Sequence, residues 1–406
     1  MKYTFKDICT KIGSGATPTG GKEAYKGGDY ALVRSQNVLD YTFTTSGLAY
    51  INETQAKKLD GVKIESGDVL LNITGDSVAR ACIIPDEILP ARVNQHVAII
   101  RANNQYALNE YLLYFLQYNK QYLLSISQGG GTRSAITKKM IEDIEIDLPS
   151  IEDQLTIVNI INSISKKIEV NQQINDNLEQ QAEALYKSWF VDFEPFKDGK
   201  FIESELGQIP EGWRIYTLNE LMDIKRGSSP RPIQSYLSET GLKWLKISDA
   251  TSCSSPFIYE IQEHIKSEGL RNTVYLQKGA LVLSNSATPG LPKILGIDTC
   301  IHDGWLYFPI SKLSNPFMYL MFIKFRENLI SQANGSVFMN LKTEIVKNLK
   351  IALPKREIIE QFDLIISSVF NEIRNRTEEM LNLSKQRDTL LPKLMSGEIK
   401  INEIDC

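Results

Sequence analysis

Arg34, Gln36 and Asn37 fall within four residues of one another in Leu32-Val33-Arg34-Ser35-Gln36-Asn37-Val38, at the end of a β-rich run. These are the side-chain types that make bidentate hydrogen bonds to base edges, arginine to guanine and the two amides to adenine. A solvated turn fits the same residues equally well. Upstream, Gly13-Ser14-Gly15-Ala16-Thr17-Pro18-Thr19-Gly20-Gly21-Lys22 is too glycine-rich for regular structure. Its free amides, with Ser14, Thr17 and Lys22 beside them, could cradle a phosphate backbone. The GxxxxGK[ST] order of a nucleotide-hydrolysing loop is absent, and a surface loop without a ligand is the competing reading. Two flexible turns, Gly129-Gly130-Gly131-Thr132-Arg133 and Asn334-Gly335-Ser336, add Thr132, Arg133, Asn334 and Ser336 as contact candidates or serve as plain connections. In the second half of the chain the corresponding candidates are Arg226, Lys246 and Ser248.

Patterns for catalysis are scarce. The histidines at 96, 264 and 302 have no HxxxH or HExxH context and read as structural or exposed. Asn315-Pro316-Phe317-Met318 is like the tetrapeptide of amino-methyltransferases but lacks its second proline, and reads as an Asn helix cap with Pro in the first turn. Pro85-Asp86 and Asp223-Ile224-Lys225 imitate a nuclease motif only when taken from different halves of the chain. Neither catalytic residues nor a metal site are expected. Five cysteines at 9, 82, 253, 300 and 406 form no CxxC pair, so neither a disulfide framework nor a zinc ribbon is suggested and a reducing cytoplasm fits. The N-terminus has no apolar run and no 18-residue apolar stretch occurs, so no membrane association is expected.

Positioning such loops is the task of a tandem repeat. Leu32 to Val38 lies opposite Trp244 to Ala250, and Ser66-Gly67-Asp68-Val69-Leu70-Leu71 opposite Lys278-Gly279-Ala280-Leu281-Val282-Leu283, with order kept throughout. Short β-rich runs at 30–33, 69–73, 81–84 and 97–100 precede a helix over 109–125, and the second half repeats this with a helix over 315–330. Leu148-Pro149 and Leu353-Pro354, 205 residues apart, each end an extended segment and open a long helix. The first helix carries a heptad seam through Ile157, Ile161, Ile164, Ile168, Asn171, Asn175, Leu178, Ala182, Leu185 and Trp189. A matching seam runs through Ile358, Phe362, Ile365, Val369, Ile373, Arg376, Met380, Leu383, Arg387, Leu390 and Leu394, with one extra four-spacing at 369–373. Asn171 and Asn175 interrupt the first seam, where buried amides fix register.

The expected fold is therefore α+β: two tandem-repeat domains separated by two long antiparallel coiled-coil helices with pseudo-twofold symmetry. The boundaries fall at 1–150, 151–200, 201–355 and 356–406. Charge divides along the same lines. The overall balance is -4, yet the two globular parts sum to +3 and the two helical parts to -7. The globular parts are thus free to approach a polyanion, while acidic helix faces suit a protein partner or are simply solvated.

Three extended stretches resemble the specificity subunit of type I restriction-modification systems, and the likeness covers the whole chain in order. Gln181-Ala182-Glu183-Ala184-Leu185-Tyr186-Lys187-Ser188-Trp189-Phe190-Val191-Asp192-Phe193-Glu194-Pro195-Phe196 is similar to the end of that family's central helical region. Leu206-Gly207-Gln208-Ile209-Pro210-Glu211-Gly212-Trp213 is similar to the lead-in to its second recognition domain, and Leu390-Leu391-Pro392-Lys393-Leu394-Met395-Ser396-Gly397-Glu398-Ile399 to its C-terminal signature. The resemblance implies two target recognition domains, each reading half of a bipartite double-stranded DNA sequence, on helices that dock two modification subunits. S-adenosylmethionine and adenine N6 methylation then belong to the modification subunits, and ATP with Mg to two restriction subunits where these exist. A self-sufficient DNA methyltransferase would need a glycine fingerprint after its first strand, which is missing. A pure coiled-coil scaffold would not need two globular parts with matched polar loops.

The seam from Ile157 to Trp189 spans about 50 Å at ~1.5 Å per residue. Residues 1–200 expressed alone carry that seam without its partner and are expected to self-associate into a twofold dimer that selects a palindromic DNA site beside the modification subunit. Sedimentation and selection of bound DNA check this, and a stable soluble monomer, or a selected site without inverted symmetry, would sink the spacer idea.

Overall fold

The computed structural model describes residues 2–18, 25, 27–128, 134–333 and 340–399. The chain divides into two compact units, one formed by Met1–Lys167 with Leu383–Cys406 and the other by Ile168–Asn382. The long helices, Ile151–Phe190 and Arg356–Met395, are each 40 residues and each contributes to both units. Boundaries drawn at 150, 200 and 355 follow the elements, whereas the contacts group them differently, because each unit buries helix surface in its own core.

Local chemistry sets where the first long helix begins. Glu145–Asp147 pairs with Lys2–Thr4 as a two-stranded sheet, and Pro149 stops the strand soon after. The Ser150 hydroxyl then accepts from the Asp153 amide at 3.1 Å and donates to its carboxylate at 2.7 Å, which caps the helix. One turn on, buried Gln154 accepts from the Leu108 amide at 3.0 Å and donates to the Tyr106 carbonyl at 2.9 Å, tying the helix to its domain. In the second unit, Arg214–Thr217 pairs with Lys350–Leu353 in the same way before Pro354.

The repeat extends to sheet topology. In the first unit, Cys9–Ser14, Val97–Ala102, Val69–Asn72 and Ala81–Ile83 form an antiparallel sheet in that order. In the second, Lys225–Arg226, Trp305–Tyr307, Leu281–Ser284 and Pro292–Leu295 take the same order, with Phe257–Ile258 added at the edge. A further sheet in each unit contains one parallel pair, Tyr30–Val33 with Ala91–Val93 and Leu242–Leu245 with Thr299–Ile301. Three sequence expectations need correction. Gly13 and Ser14 close a strand, paired to Ile99 and Ala98, instead of opening a loop. The helix expected over 109–125 is two, Asn109–Tyr118 and Lys120–Ser127. The cap of helix Asn315–Ala333 is Ser314, whose hydroxyl accepts from the Phe317 amide at 3.2 Å, while Asn315 Nδ2 donates to the Gly279 carbonyl at 2.6 Å.

Both helices are buried on more than their seams. In the first unit Ile157 and Ile161 lie in one core with Leu391 and Leu394, and Leu390 packs on its edge. Ile164, Ile168 and Leu383 are half-buried. In the second unit Ala182, Tyr186 and Phe190 share a core with Phe362, Ile366, Phe370 and Ile373, and Leu178, Leu185, Trp189 and Val369 pack against it. Ile365, assigned to the seam from spacing, is 45 % exposed, and buried Ile366 takes its place because this stretch also faces the sheet core. The asparagine layer is fully engaged at Asn171, which donates to Glu379 at 2.8 Å and accepts from Arg376 at 3.0 Å. Asn175 donates to Thr377 at 3.2 Å. Arg376 stands 205 residues after Asn171, so each helix meets the other near its own repeat counterpart.

Phe362 concentrates this packing, with ring centroids 4.8 Å from Phe190, 5.6 Å from Trp189, 5.7 Å from Phe317 and 6.2 Å from Tyr186. Phe362→Ala is expected to destabilise the fold by about 3–5 kcal/mol, read by denaturant unfolding. A loss under ~1 kcal/mol would mean that the aromatic cluster does not hold the helix.

Candidate nucleic-acid interface

In each domain a loop leaving an edge strand is held against the loop that follows the second strand of the parallel pair. Glycine makes this approach possible. A Cβ at Gly15 would lie 1.8 Å from the Val93 carbonyl oxygen, and one at Gly227 2.2 Å from that of His302. The Gly15 amide donates to the Asn94 carbonyl at 3.1 Å and the Gly227 amide to that of Trp305 at 2.8 Å. Two residues on, the Thr17 hydroxyl donates to Gln95 Oε1, and the Ser229 hydroxyl to Asp303 Oδ1 at 2.7 Å. The two domains thus present one polar lock, an amide in the first and a carboxylate in the second.

The second domain's version opens onto a cleft of about 940 Å³. Lys246 and Ser248 line it, together with Ser229, Arg231, Trp244, Glu263, His302 and Asp303. Lys246 Nζ bonds to Glu263 Oε1, and Arg226 and Arg231 approach Asp303 Oδ2 at 3.8 and 3.7 Å. The Ser229 hydroxyl, ahead of the arginine charge, holds the Asp303 carboxyl below the ordinary carboxylate range. Burial pushes the His302 imidazole down, with Asp303 opposing, so the ring is neutral near pH 7.

Around the corresponding strand end of the first domain, Arg34 donates to the Gly47 carbonyl and lies 5.8 Å from the Tyr25 ring centre. Exposed Gln36 donates to the same carbonyl at 3.1 Å. Asn37 needs correction. It is fully buried, accepting from the Arg34 amide at 3.1 Å and donating to the Thr44 and Ser46 carbonyls at 3.0 and 3.2 Å, so it folds the loop and has no edge to offer a base. Asp249 makes the same clip, accepting from the Lys246 amide at 2.9 Å. Ser14 is exposed at its strand end. Lys22, Thr132, Arg133, Asn334 and Ser336 lie outside the described residues. Spacing missed Ser229, Arg231, Gln95, His302 and Asp303. The usable signal was the repeat itself, which pairs Thr17 with Ser229 at one offset and Gln95 with Asp303 at another. Among the described residues no group of three or more His, Cys, Asp or Glu could hold a metal ion, and no helix is long and apolar enough to cross a membrane.

The family model for the type I restriction modification DNA specificity domain matches residues 1–180 and 210–383. The chain is 26% identical over 412 residues to the type I restriction enzyme MjaIX specificity subunit of Methanocaldococcus jannaschii, covering 98% of this chain and 93% of that one. It is 25% identical over 438 residues to the HindI specificity subunit of Haemophilus influenzae, covering 91% and 94%. Its fold is similar to the crystal structure of a type I restriction-modification S subunit from M. genitalium, with TM-score 0.58, 13% identity and coverage of 97% and 95%.

Asn37→Ala is expected to cost about 1–3 kcal/mol, since it strands buried backbone groups, in a denaturation measurement. Gln36→Ala should stay within about 0.5 kcal/mol of wild type, while it or Arg34→Ala changes base selectivity at one half-site only. Uniform loss of DNA affinity, or none, would remove this loop from base reading.

Proposed function

The chain belongs to the family of type I restriction-modification DNA specificity domains, and from that premise we propose that each of its two domains reads one half of a bipartite duplex DNA target. It is a specificity subunit with two copies of the DNA specificity domain. One observation carries the two-reader proposal: the glycine-permitted, hydroxyl-locked loop pair occurs once in each domain, with different polar groups at the lock. Equivalent frames with different side chains are what two readers of unlike sequences need. Phosphate contacts from exposed cations orient the duplex, and side chains such as Gln36, Arg34 and Arg231 supply discrimination.

The rest of the chemistry lies in partners. Two modification subunits dock on the long helices, bind S-adenosylmethionine and methylate adenine N6. Restriction subunits, where the system has them, use ATP and Mg for cleavage. This chain contributes no catalytic group, and works in the cytoplasm where those partners and the DNA are found.

The purified chain should transfer no methyl group until a modification subunit is added, after which methylation-aware sequencing should reveal a target in two parts with an unread spacer. Adenine methylation by the chain alone would falsify the division of labour. A single continuous target would contradict the two-reader arrangement.

A further inference from the structure

The cleft of the second domain is lined by Arg231 and His302 together with exposed Gln234 and Ser248 and two carboxylates. Of its carboxylates, Asp303 accepts the Ser229 hydroxyl on one oxygen and faces two arginines at 3.8 and 3.7 Å with the other, and Glu263 accepts from Lys246. The remaining Glu263 oxygen is enclosed. The Asp303 carbonyl accepts from Arg226 Nε and, at 3.2 Å, from Asn285.

Two donors stand out among them. Arg231 is 81% exposed, and its 3.7 Å approach to Asp303 is an ion pair too long for a hydrogen bond. His302 is fixed more tightly. Its ring lies 5.9 Å from that of Trp244 and 6.4 Å from that of Trp305. Its Nδ1 accepts from the Gly304 amide at 2.8 Å, which leaves the ring proton on Nε2. Gly304 allows that posture, since a Cβ there would lie 2.2 Å from His302 Cε1. The imidazole is thus held as a donor in the wall of a large cleft.

Among major-groove edges guanine alone offers only acceptors, at N7 and O6, whereas adenine and cytosine each place an amino donor there and thymine a methyl group. Two donors in one cleft match that pair of acceptors, and an amino group turned toward either of them finds nothing there to accept it. We propose that the half-site read by the second domain contains a guanine recognised in the major groove by Arg231 and by His302 Nε2–H. This rests on the DNA-specificity reading of the chain and names what one cleft selects.

The test uses the full chain assembled with its modification subunits, on duplexes carrying the target found by methylation-aware sequencing. Each guanine of the half-sites is replaced in turn by 7-deazaguanine, which lacks the N7 acceptor. At one position in the second domain's half-site, affinity and methylation should fall roughly five- to a hundred-fold. Arg231→Ala and His302→Phe, the latter keeping a ring between the tryptophans, should flatten the base preference at that position and leave the first domain's half-site selected as before. Their melting temperatures serve as the folding control. If His302→Phe fails to fold, Arg231→Ala and the 7-deazaguanine series decide between guanine recognition and its absence. A half-site lacking guanine, or one whose guanines all tolerate the deaza base, overturns the guanine assignment while a bipartite wild-type target keeps the specificity reading standing. A complex that selects no sequence overturns both.

Discussion

The structure depends first on helices that must be covered on two sides. A heptad seam satisfies one stripe of a helix, but Tyr186 and Phe190 on one helix and Ile366 and Phe370 on the other lie off that stripe and are buried in the second unit's core. Pairing alone would leave those residues in water, and docking a domain alone would expose the seam. Only the combination satisfies both, which is why each unit includes parts of both helices. The same requirement explains the polar layer. Asn171 is completely buried and yet satisfied, because Arg376 and Glu379 meet its oxygen and nitrogen. A shift of register by one turn would orphan that amide at a cost comparable to a lost hydrogen bond to a charged group, about 1.5–3 kcal/mol.

Sheet order places the paired loops within each unit. A parallel strand pair brings residues distant in sequence, Val33 beside Val93 and Leu245 beside Ile301, so that the loops leaving them emerge side by side. Glycine then lets a third loop close on them with its backbone nearly in contact. The result is a frame made mostly of backbone hydrogen bonds and small side chains. Such a frame tolerates exchange of the residues that project from it, as the change from Gln95 to Asp303 at equivalent points shows.

The fold was legible because its signals are periodic or repeated. Heptads, the two Leu-Pro helix starts and the ordered correspondence of β-rich runs are patterns that survive without tertiary information. What stayed hidden was tertiary in origin. Ile365 fits the heptad count, but the sheet core claims the neighbouring face and buries Ile366 instead. Asn37 has base-reading chemistry, but the turn at Thr44 to Ser46 uses up its amide. His302 stands alone in the sequence, and nothing there reveals that Trp244, Trp305 and Gly304 gather around it.

Net charge misleads for a related reason. A total of -4 argues against a polyanion only if every ionised group is seen at once, yet screening limits a charge's reach to roughly 8–10 Å at physiological salt. Many cations are also spoken for. Arg101 makes two 2.7 Å bonds to buried Asp68, and Arg92 meets Asp60 at 2.6 Å, so these hold the first domain together and offer little to DNA. In the second domain the carboxylates of the cleft partly offset its cations. That arrangement weakens attraction to phosphate in general, which scales with the number of neutralised phosphates, and spares the directional donors. A protein whose task is to tell sequences apart benefits from that balance, because tight binding to every duplex would bury the difference between the right site and the many wrong ones.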